Sequence, residues 1–439
     1  MTPPDDTTPP EAAAADLVGI GFGPSNAALA IAFEETAPHT AGEPRSRMAF
    51  FERQPAFGWH RGMLIEGATM QVSFLKDLAT MRNPMSRYTF MQYLKTKDRV
   101  AEFINSKTLF PLRVEFHDYL DWVARQFDPV VTYGAEVVAL RPVTVDGVVA
   151  HLDVEARVTG DDGEHTVVRR ARNVAVGTGL TPRMPDGIQE SRRVWHSSRL
   201  MDRAATIGDA PRRLVVIGAG QSAAEATDYL HRTFPTAEVH SVFSRYGYSV
   251  ADDSPFVNGI FDPKAVGAFY GAAPEVKRQL LGYHENTNYS VVDLELAESL
   301  YRTSYQERVL GQQRLWIRNM SRVVAAAEHA DGVRVTVKEL ATGTSEVIEA
   351  DAVVCATGYA PSDPLPLLQD VVGECKRDDE GRLVLGRDYR VATSDAVRCG
   401  IYVHGAGSEH SHGLAAGLLS NTAVRSGEIV DSILSVLAR

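Results

Sequence analysis

The chain is 439 residues long, with 44% hydrophobic residues and a formal net charge of −11 at pH 7. A chain of this length and composition can bury a large core, and its length predicts two or three globular units. Because the charge is acidic and Lys and Arg do not cluster, the sequence argues against nucleic acid or an anionic membrane surface as a partner. No apolar run is long enough to span a bilayer.

The N-terminal segment and the cysteines indicate where the protein works. Residues 1–14 are rich in Pro, Asp and Ala and lack the apolar core of a signal peptide, so we predict a disordered tail. The three cysteines are widely spaced and odd in number, which favours a reducing, cytoplasmic setting. Since no two of them form a CxxC or CxxxxC pair, the sequence disfavours flavoenzymes that reduce disulfides.

Residues 16–52 predict a strand–helix–strand unit. Its elements are a strand over residues 16–20, a helix over residues 24–33 and a strand over residues 48–51 that ends at Glu52. In a dinucleotide-binding unit, an acid at this place binds a ribose hydroxyl about 20 residues after the first glycine. Glu52 follows Gly19 by 33 residues, and we attribute the excess to a loop over residues 37–46 that is rich in Pro, Gly and Thr.

The turn between that first strand and helix is a glycine-rich fingerprint. Its candidate cofactor-binding residues are Gly19, Gly21, Gly23, Pro24, Ser25 and Asn26. The first glycine allows a tight bend, the second lets the backbone approach a pyrophosphate, and the helix N-terminus supplies free N–H groups. Pro24 replaces a glycine of the standard pattern, which the first helical turn tolerates because the N–H that proline lacks would be unpaired there.

A second unit of the same kind follows. Its predicted elements are a strand at Arg213–Ile217, a helix from Gln221 to about Phe234 and a strand over residues 238–243. The second fingerprint comprises Gly218, Gly220, Gln221 and Ser222. On the helix, the polar Glu225 and Asp228 fall off the apolar stripe. Two such turns predict two nucleotide cofactors and a flavoprotein that takes hydride from a nicotinamide.

The domain order follows from the last strands. Residues 333–340 and 345–356 predict a strand pair that leads the chain back to the first unit. We therefore predict an α/β fold in which one Rossmann-like domain is inserted in another. The predicted parts are a flavin (FAD) domain over 15–208 and 350–439, an NADPH domain over 209–349, and a small substrate-binding region at about 250–310 within the latter.

Several motifs resemble one family. They are residues 19–26 (GIGFGPSN), 59–64 (WHRGML), 70–78 (MQVSFLKDL), 195–198 (WHSS), 218–225 (GAGQSAAE), 253–258 (DSPFVN), 286–290 (NTNYS) and 418–420 (LLS). They are similar to flavin-dependent N-hydroxylating monooxygenases, in particular the bacterial L-ornithine N(5)-monooxygenases of siderophore and related pathways. Asp351 to Pro364 also resembles a family signature, except that Cys355 replaces a bulky apolar residue. A buried cysteine is a small hydrophobe, so we expect only a packing change.

The resemblance implies FAD and NADPH as cofactors. Around FAD it places, besides the first turn, Glu52, Trp59, His60, Gln71, the backbone near Val137, and Leu418. NADPH would lie on the second turn, and the implied catalytic residues are Arg113, Gln71 and Ser420. Arg245 supplies a cation where a 2′-phosphate would bind. The family's own arginine aligns nearer Ser244, however, and a single loop arginine is usually solvated.

For the substrate, the resemblance implies Lys76, Asn258, Asn288 and Ser420. A lysine suits a carboxylate, and asparagine oxygens suit an ammonium group. Taken alone, Lys76 beside Asp77 is more often a solvent-exposed pair, and asparagines in such segments more often form turns. The implied substrates are L-ornithine and O2. L-lysine and diamines stay open, because one methylene is worth only about 1–3 kcal/mol in a pocket. Relatives commonly form dimers or tetramers.

The resemblance implies hydroxylation of the side-chain amine through a C4a-hydroperoxyflavin, with closure of residues 413–420 over the ring. No metal is expected, since His410 and His412 alone are too little for a site. Two other functions stay open on the sequence: an NADPH oxidase or reductase that makes only hydrogen peroxide, and a flavin-binding protein without activity.

Overall fold

The computed structural model describes residues 14–37, 47–160 and 163–437. In chain order, its strands are β1 (Leu17–Ile20), β2 (Met48–Glu52), β3 (Val131–Tyr133), β4 (Ala135–Val145), β5 (Val148–Gly160), β6 (Gly163–Ala171), β7 (Asn173–Val176), β8 (Leu180–Pro182), β9 (Val194–His196), β10 (Arg213–Ile217), β11 (Glu238–Val242), β12 (Leu315–Arg318), β13 (Ser321–Glu328), β14 (Val333–Glu339), β15 (Ser345–Ala350), β16 (Ala352–Cys355), β17 (Tyr359–Pro361) and β18 (Gly400–Val403). Its α-helices are α1 (Pro24–Thr36), α2 (Phe90–Thr96), α3 (Val100–Asn105), α4 (Arg113–Arg125), α5 (Leu200–Ala204), α6 (Gln221–Thr233), α7 (Pro255–Asn258), α8 (Pro263–Gly271), α9 (Pro274–Asn288), α10 (Leu294–Leu310), α11 (Glu409–His412) and α12 (Thr422–Leu437).

The first sheet has five parallel strands in the order β18, β7, β1, β2 and β3. All residues of β1 and β7 are buried, as expected where both faces of a parallel sheet are covered. One face packs on α1, which itself contacts α12. The antiparallel sheet β4–β5–β6 covers the other face, where Val18 and Ile20 join the apolar cluster of Leu140 and Val154.

The second sheet is also parallel, in the order β12, β11, β10, β16 and β9. It includes β9 and β16, whereas the predicted boundaries at residues 208 and 350 assign both strands to the flavin domain. The pairings Leu214 with Ala352 and Val353 with Val194 place them in the second sheet. The chain crosses between the two sheets along β8 and β17, which pair antiparallel.

The prediction of one strand over residues 345–356 is wrong, because Asp351 divides it. Its carboxylate accepts the N–H groups of Arg212 and Arg213 at 2.6 and 2.9 Å. This turns the chain out of the antiparallel sheet β13–β14–β15 and into the parallel second sheet. A contact across about 140 residues of sequence decides the break, and local alternation does not reveal it.

The predicted fold class is confirmed, because all the strands of the second sheet lie in the chain between β7 and β18 of the first. The strand–helix–strand units match the predicted elements closely, and β10 has the predicted bounds. Most of the predicted disordered tail and most of the loop at residues 37–46 lie outside the described residues. None of the helices in the described ranges has the length and apolar character needed to cross a membrane.

Candidate functional site

The first glycine turn has the geometry that a pyrophosphate needs. Gly21 has a φ of +81°, and a Cβ there would lie 2.6 Å from the carbonyl oxygen of Gly177. A Cβ at Gly19 would collide with the neighbouring strand β2. Helix α1 begins at Pro24, with Gly23 as its N-cap and no side-chain cap. The N–H groups of its first turn therefore stay available to an anion.

Two of the predicted cofactor residues brace this turn. Asn26 is fully buried, and its Nδ2 donates to the carbonyl oxygens of Ile20 and Gly21 at 3.1 and 2.7 Å. Glu52, at the end of β2, accepts the N–H of Phe22 at 2.7 Å. Each carboxylate oxygen can accept more than one hydrogen bond, so Glu52 keeps acceptor capacity for a ribose hydroxyl.

The second glycine turn repeats this arrangement. Gly218 has a φ of +137°, and a Cβ there would collide with the carbonyl oxygen of Ala356. A Cβ on Gly220 would lie 3.2 Å from the Cα of Ser290. Helix α6 begins at Gln221, again with a glycine N-cap and no side-chain cap. Both predicted pyrophosphate sites thus have an open helix N-terminus.

The cation predicted for the 2′-phosphate lies beside this second turn. Arg245 donates from Nη1 to the carbonyl oxygen of Ser290 at 3.0 Å, and Ser290 is the residue that Gly220 approaches. Ser222 lies in the first turn of α6, half-buried. The structure thus places Arg245 next to the second turn through Ser290, and Ser222 in the first turn of the helix that follows it.

The loop over residues 59–71 presents three predicted flavin contacts. Trp59 is half-buried, whereas His60 and Gln71 keep exposed surface. The His60 ring centroid lies 4.6 Å from that of Trp59 and 6.1 Å from that of Tyr359 on the crossing strand β17. Desolvation by the surrounding protein, and then the positive charge of the nearby Arg113, lower the pKa of His60 to about 4. Its ring is therefore neutral at pH 7.

The predicted adenine contact coincides with a β-bulge. The pairing of β4 with β5 shifts register between Val137 and Ala139. A bulge leaves one residue outside the ladder, and backbone polar groups there are free for other partners. The buried Val137 thus borders an irregular stretch of the ladder, where the resemblance places a backbone contact to the cofactor.

Arg113 joins α4 to the helix that follows the second glycine turn, in a contact that the sequence did not predict. At the start of α4, its guanidinium donates to the carboxylate of Glu225 on α6 through two bonds of 2.6 and 2.7 Å. It also donates to the carbonyl oxygens of Met63 and Thr69, at 2.9 and 3.3 Å. Glu225 is off the apolar stripe as predicted, but it is buried because this ion pair satisfies it.

Lys76 stands on a rigid loop. The next residue, Asp77, is 1% exposed and accepts the N–H groups of Ala79, Thr80 and Phe90 at 2.9, 2.6 and 2.7 Å. Burial raises the pKa of Asp77, although these hydrogen bonds oppose the shift. Asp77 therefore does not form the solvent-exposed pair with Lys76 that is common for such neighbours. Among the described residues, no carboxylate is paired with the half-buried Lys76 ammonium group.

The predicted substrate segment contacts the predicted closing segment. Phe261, three residues after Asn258, packs with Leu414 and Ala415, and Leu418 lies against this cluster. Helix α7, which ends at Asn258, contacts α9. The predicted contact at Asn288 is at the end of α9, and its side chain lies outside the described residues. Ser420 is buried, 3% exposed, two residues before α12.

Sequence reasoning missed three buried polar residues: His404, which lies beside Asn26 of the first turn, and Asn421 and Arg425. His404 Nε2, both amide atoms of Asn421 and Arg425 Nε have no hydrogen-bond partner within the described part of the chain, and each residue is at most 3% exposed. The other ring nitrogen of His404 lies 3.4 Å from Asn26 Oδ1. A buried unpaired polar group costs about 1–3 kcal/mol, so these atoms indicate a ligand. Together with the open end of α1, the unpaired nitrogen of His404 fits the predicted FAD. No local motif marks the three residues.

Burial of His412 makes stability depend on pH. Its ring stacks on Tyr389, with centroids 3.8 Å apart, and burial first, then the guanidinium of Arg387, lowers its pKa to about 4. The unfolded chain takes up a proton near pH 6.5 and the folded chain does not, so stability falls as the pH drops from 6.5 to 4. At pH 5 we expect a loss of about 2 kcal/mol from this group relative to pH 7.

Urea unfolding of wild type and His412→Phe at both pH values tests this. The phenylalanine keeps a stacking ring but carries no titratable proton. The difference in unfolding free energy between pH 7 and pH 5 should shrink by about 2 kcal/mol in the variant. An unchanged difference would show that His412 is not held neutral in the folded chain.

Across the described ranges, no three side chains of His, Cys, Asp or Glu form a set that could hold a metal ion. All three cysteines are buried and unpaired. Two Rossmann-like domains, one inserted in the other and each with an open glycine turn, place the chain among the two-dinucleotide flavoproteins. Within that class, residues 13–361 match the family described as L-lysine 6-monooxygenase/L-ornithine 5-monooxygenase, and the chain belongs to this family.

Relatives in this family are similar over nearly the whole chain. An L-ornithine N(5)-monooxygenase of Burkholderia cepacia is 42% identical, covering 91% of this chain and 89% of its own. The ornithine N-hydroxylase structure from Kutzneria sp. 744, described with reduced FAD, NADP+ and L-ornithine, is 46% identical with a TM-score of 0.90, covering 96% and 99%. The L-lysine 6-monooxygenase of Pseudomonas syringae is 33% identical with a TM-score of 0.80, covering 96% and 100%.

Proposed function

We propose that this chain is an FAD- and NADPH-dependent L-ornithine N(5)-monooxygenase that supplies siderophore or related natural-product biosynthesis. The reaction converts L-ornithine, O2, NADPH and a proton into N(5)-hydroxy-L-ornithine, NADP+ and water. The observation that carries the proposal is the pair of glycine turns at open helix N-termini, on two sheets, in a chain of this family. When bound, FAD supplies the redox chemistry by accepting hydride from NADPH and activating O2.

The first turn holds FAD in this proposal. Gly21 lets the backbone approach the pyrophosphate, and the first turn of α1 donates to it. Glu52 binds the ribose, the bulge at Val137 meets the adenine, and the loop with Trp59, His60 and Gln71 lies at the flavin. His404 and Asn421 add the polar contacts that their unpaired atoms lack.

The second turn and Arg245 hold NADPH. The first turn of α6 faces the pyrophosphate, with Gln221 and Ser222 beside it. Arg245 lies next to this turn through its bond to Ser290, which supports a phosphate-bearing nicotinamide cofactor over one with a free 2′-hydroxyl.

The substrate is held at its amino-acid end. Lys76 binds the carboxylate, and Asn258, Asn288 and Ser420 bind the remaining polar groups. The amine at the other end must lose its proton to react. A shift of its pKa from about 10.4 to about 7 corresponds to roughly 4–5 kcal/mol, and apolar surroundings favour the neutral form. Residues such as Phe261 and Leu414 supply such surroundings beside the closing segment.

One comparison of substrates tests the proposal. Purified holoenzyme is given L-ornithine, L-lysine or putrescine, and hydroxylamine product, NADPH consumption and hydrogen peroxide are measured together. We expect product to match NADPH consumption with ornithine and to fall with the other two. Equal or greater product with lysine or putrescine would identify the alternative L-lysine N(6)-hydroxylase or diamine N-hydroxylase. Peroxide accounting for all turnover with every amine would identify an NADPH oxidase.

We also propose O2 as the second substrate, action in the cytoplasm and assembly of copies of this chain into a dimer or tetramer. Three buried, unpaired cysteines support a reducing compartment. The mass of the purified protein, measured by light scattering, tests the assembly. Failure of NADPH to bleach the flavin without oxygen would indicate a flavin-binding protein that lacks activity.

A further inference from the structure

The Arg113–Glu225 ion pair connects the two dinucleotide-binding domains. Arg113 begins α4, which packs in the core of the first domain, and Glu225 lies on α6, directly behind the second glycine turn. Both residues are buried, at 9% and 7% exposed. Bonds of 2.6 and 2.7 Å join the guanidinium and the carboxylate at two points, which fixes their relative orientation as well as their distance.

On the side of the first domain, Arg113 holds the loop that carries the predicted flavin contacts. Its guanidinium donates to Met63 and Thr69, and its own N–H donates to the carbonyl oxygen of Ala68 at 2.8 Å. These acceptors lie between His60 and Gln71. Arg113 is therefore one of the contacts that hold this loop in position.

On the side of the second domain, Glu225 holds the start of the NADPH-binding helix. Its carboxylate accepts from Gln221 Nε2 at 2.9 Å, and Gln221 Oε1 accepts the N–H of Asp293 at 2.8 Å. Asp293 is the N-cap of α10. One carboxylate thus connects the flavin loop, through Arg113, to Gln221 of the second fingerprint.

Single hydrogen bonds and apolar packing also join the domains. Tyr270 Oη donates to the carbonyl oxygen of Leu385 at 3.1 Å, and Tyr289 Oη donates to Glu409 Oε2 at 2.5 Å. Met63 and Ile65 pack into the apolar cluster of the second domain with Trp195 and Leu200. Apolar packing holds surfaces together without specifying one rotation as sharply as paired hydrogen bonds do. The crossing strands β8 and β17 each follow a glycine with positive φ, Gly179 at +72° and Gly358 at +79°.

We propose that Glu225 is a positioning residue for hydride transfer. Through Arg113 it sets the orientation of the NADPH-binding turn relative to the flavin loop, and hence the approach of nicotinamide to flavin. This inference rests on the proposed function. A misplacement of about 1 Å can slow a positioned reaction by about 100-fold, so a small change of orientation has a measurable effect.

The test compares Glu225→Gln, Glu225→Asp and a matched control, Asp153→Asn. Asp153 makes a two-point ion pair with Arg170, at 2.8 and 3.0 Å, within one antiparallel sheet. At saturating NADPH without oxygen, flavin reduction per bound FAD should slow by about 10- to 100-fold in Glu225→Gln. It should slow less in Glu225→Asp, which keeps the charge, and not in the control. The KM for ornithine should not change.

A distance measurement gives a readout that does not depend on activity. Cysteines introduced at the exposed Glu102 and Gln306 place one nitroxide spin label on each domain of the holoenzyme, and the native cysteines are buried. Pulsed electron paramagnetic resonance should show a broader or shifted distance distribution in Glu225→Gln than in wild type or the control.

Unchanged distances together with an unchanged reduction rate per bound flavin would overturn the inference. A loss of FAD content or thermal stability in proportion to activity, with normal reduction of the remaining flavin, would overturn it as well. If Glu225→Gln does not fold, Glu225→Asp decides by the same criteria. Wild type that reduces its flavin but forms no hydroxylamine would overturn the proposed function, while the distances still test Glu225.

Discussion

Gly21→Ala is expected to abolish stable FAD binding. A φ of +81° costs an alanine about 1–2 kcal/mol, and its Cβ would lie 2.6 Å from the carbonyl oxygen of Gly177, so the backbone must move. The turn then shifts relative to the first helical turn of α1, where the pyrophosphate is proposed to bind. We expect purified Gly21→Ala to retain less than about a tenth of the wild-type FAD, since a change of 1.4 kcal/mol is already tenfold in affinity.

Gly147→Ala is the matched control for backbone strain. Gly147 has nearly the same φ, +82°, in the turn between β4 and β5, but a Cβ there meets nothing within 4 Å. The control should lose a similar amount of stability through strain and keep its FAD. Flavin content is read from absorbance after removal of free FAD. Normal FAD content in Gly21→Ala, or equal loss in both variants, would contradict the proposed role of the first turn.

The glycine turns were predictable from sequence because their requirements are local. A tight bend with positive φ and an uncapped helix start depend on residues within about eight positions, although the backbone that each turn approaches, at Gly177 and Ala356, is distant in sequence. Gly21 and Gly218 show these features in the structure. The same holds for β10, in which four buried apolar residues follow the exposed Arg213 and whose predicted bounds match the structure.

Contacts between distant residues were not predictable in this way. Glu225 was predicted only to fall off the apolar stripe of α6, and its ion pair with Arg113, 112 positions away in sequence, explains why it is buried. The division of residues 345–356 at Asp351 likewise depends on the N–H groups of Arg212 and Arg213. The domain boundaries were predicted from sequence order, and sheet pairing extends the second sheet beyond them to β9 and β16.

In predictability, the substrate residues stand between the glycine turns, which were predictable from local sequence, and the long-range contacts, which were not. Lys76, Asn258 and Asn288 came from resemblance alone, because the residues themselves favoured a solvent-exposed pair or turns. The structure adds a physical reason to single out Lys76: Asp77 is committed to backbone N–H groups, which leaves the lysine without a carboxylate among the described residues. Asn258 is half-buried close to the apolar cluster of Phe261 and Leu414.

Lys76→Ala is expected to separate amino-acid from diamine substrates. Removing one partner of a buried, charged hydrogen-bonded pair costs about 2–5 kcal/mol of binding free energy. Because Lys76 is half-buried, we expect a loss of about 2–3 kcal/mol in Lys76→Ala. The kcat/KM for L-ornithine should therefore fall by about 30- to 150-fold, mostly through KM, since the carboxylate is held equally before and during reaction. Putrescine has no carboxylate, and its turnover should change less than about twofold.

Lys95→Ala is the control, because Lys95 is an exposed lysine in the last turn of α2. Its kinetics should match wild type with both substrates. The kcat and KM of wild type and both variants are measured from steady-state hydroxylamine formation. Anaerobic flavin reduction by NADPH checks that the flavin site is intact. An equal fall in kcat/KM for ornithine and putrescine would mean that Lys76 acts on the amine end of the substrate or on the conformation of its loop. Neither of these roles depends on a substrate carboxylate. An unchanged KM for ornithine would place the carboxylate elsewhere in the site.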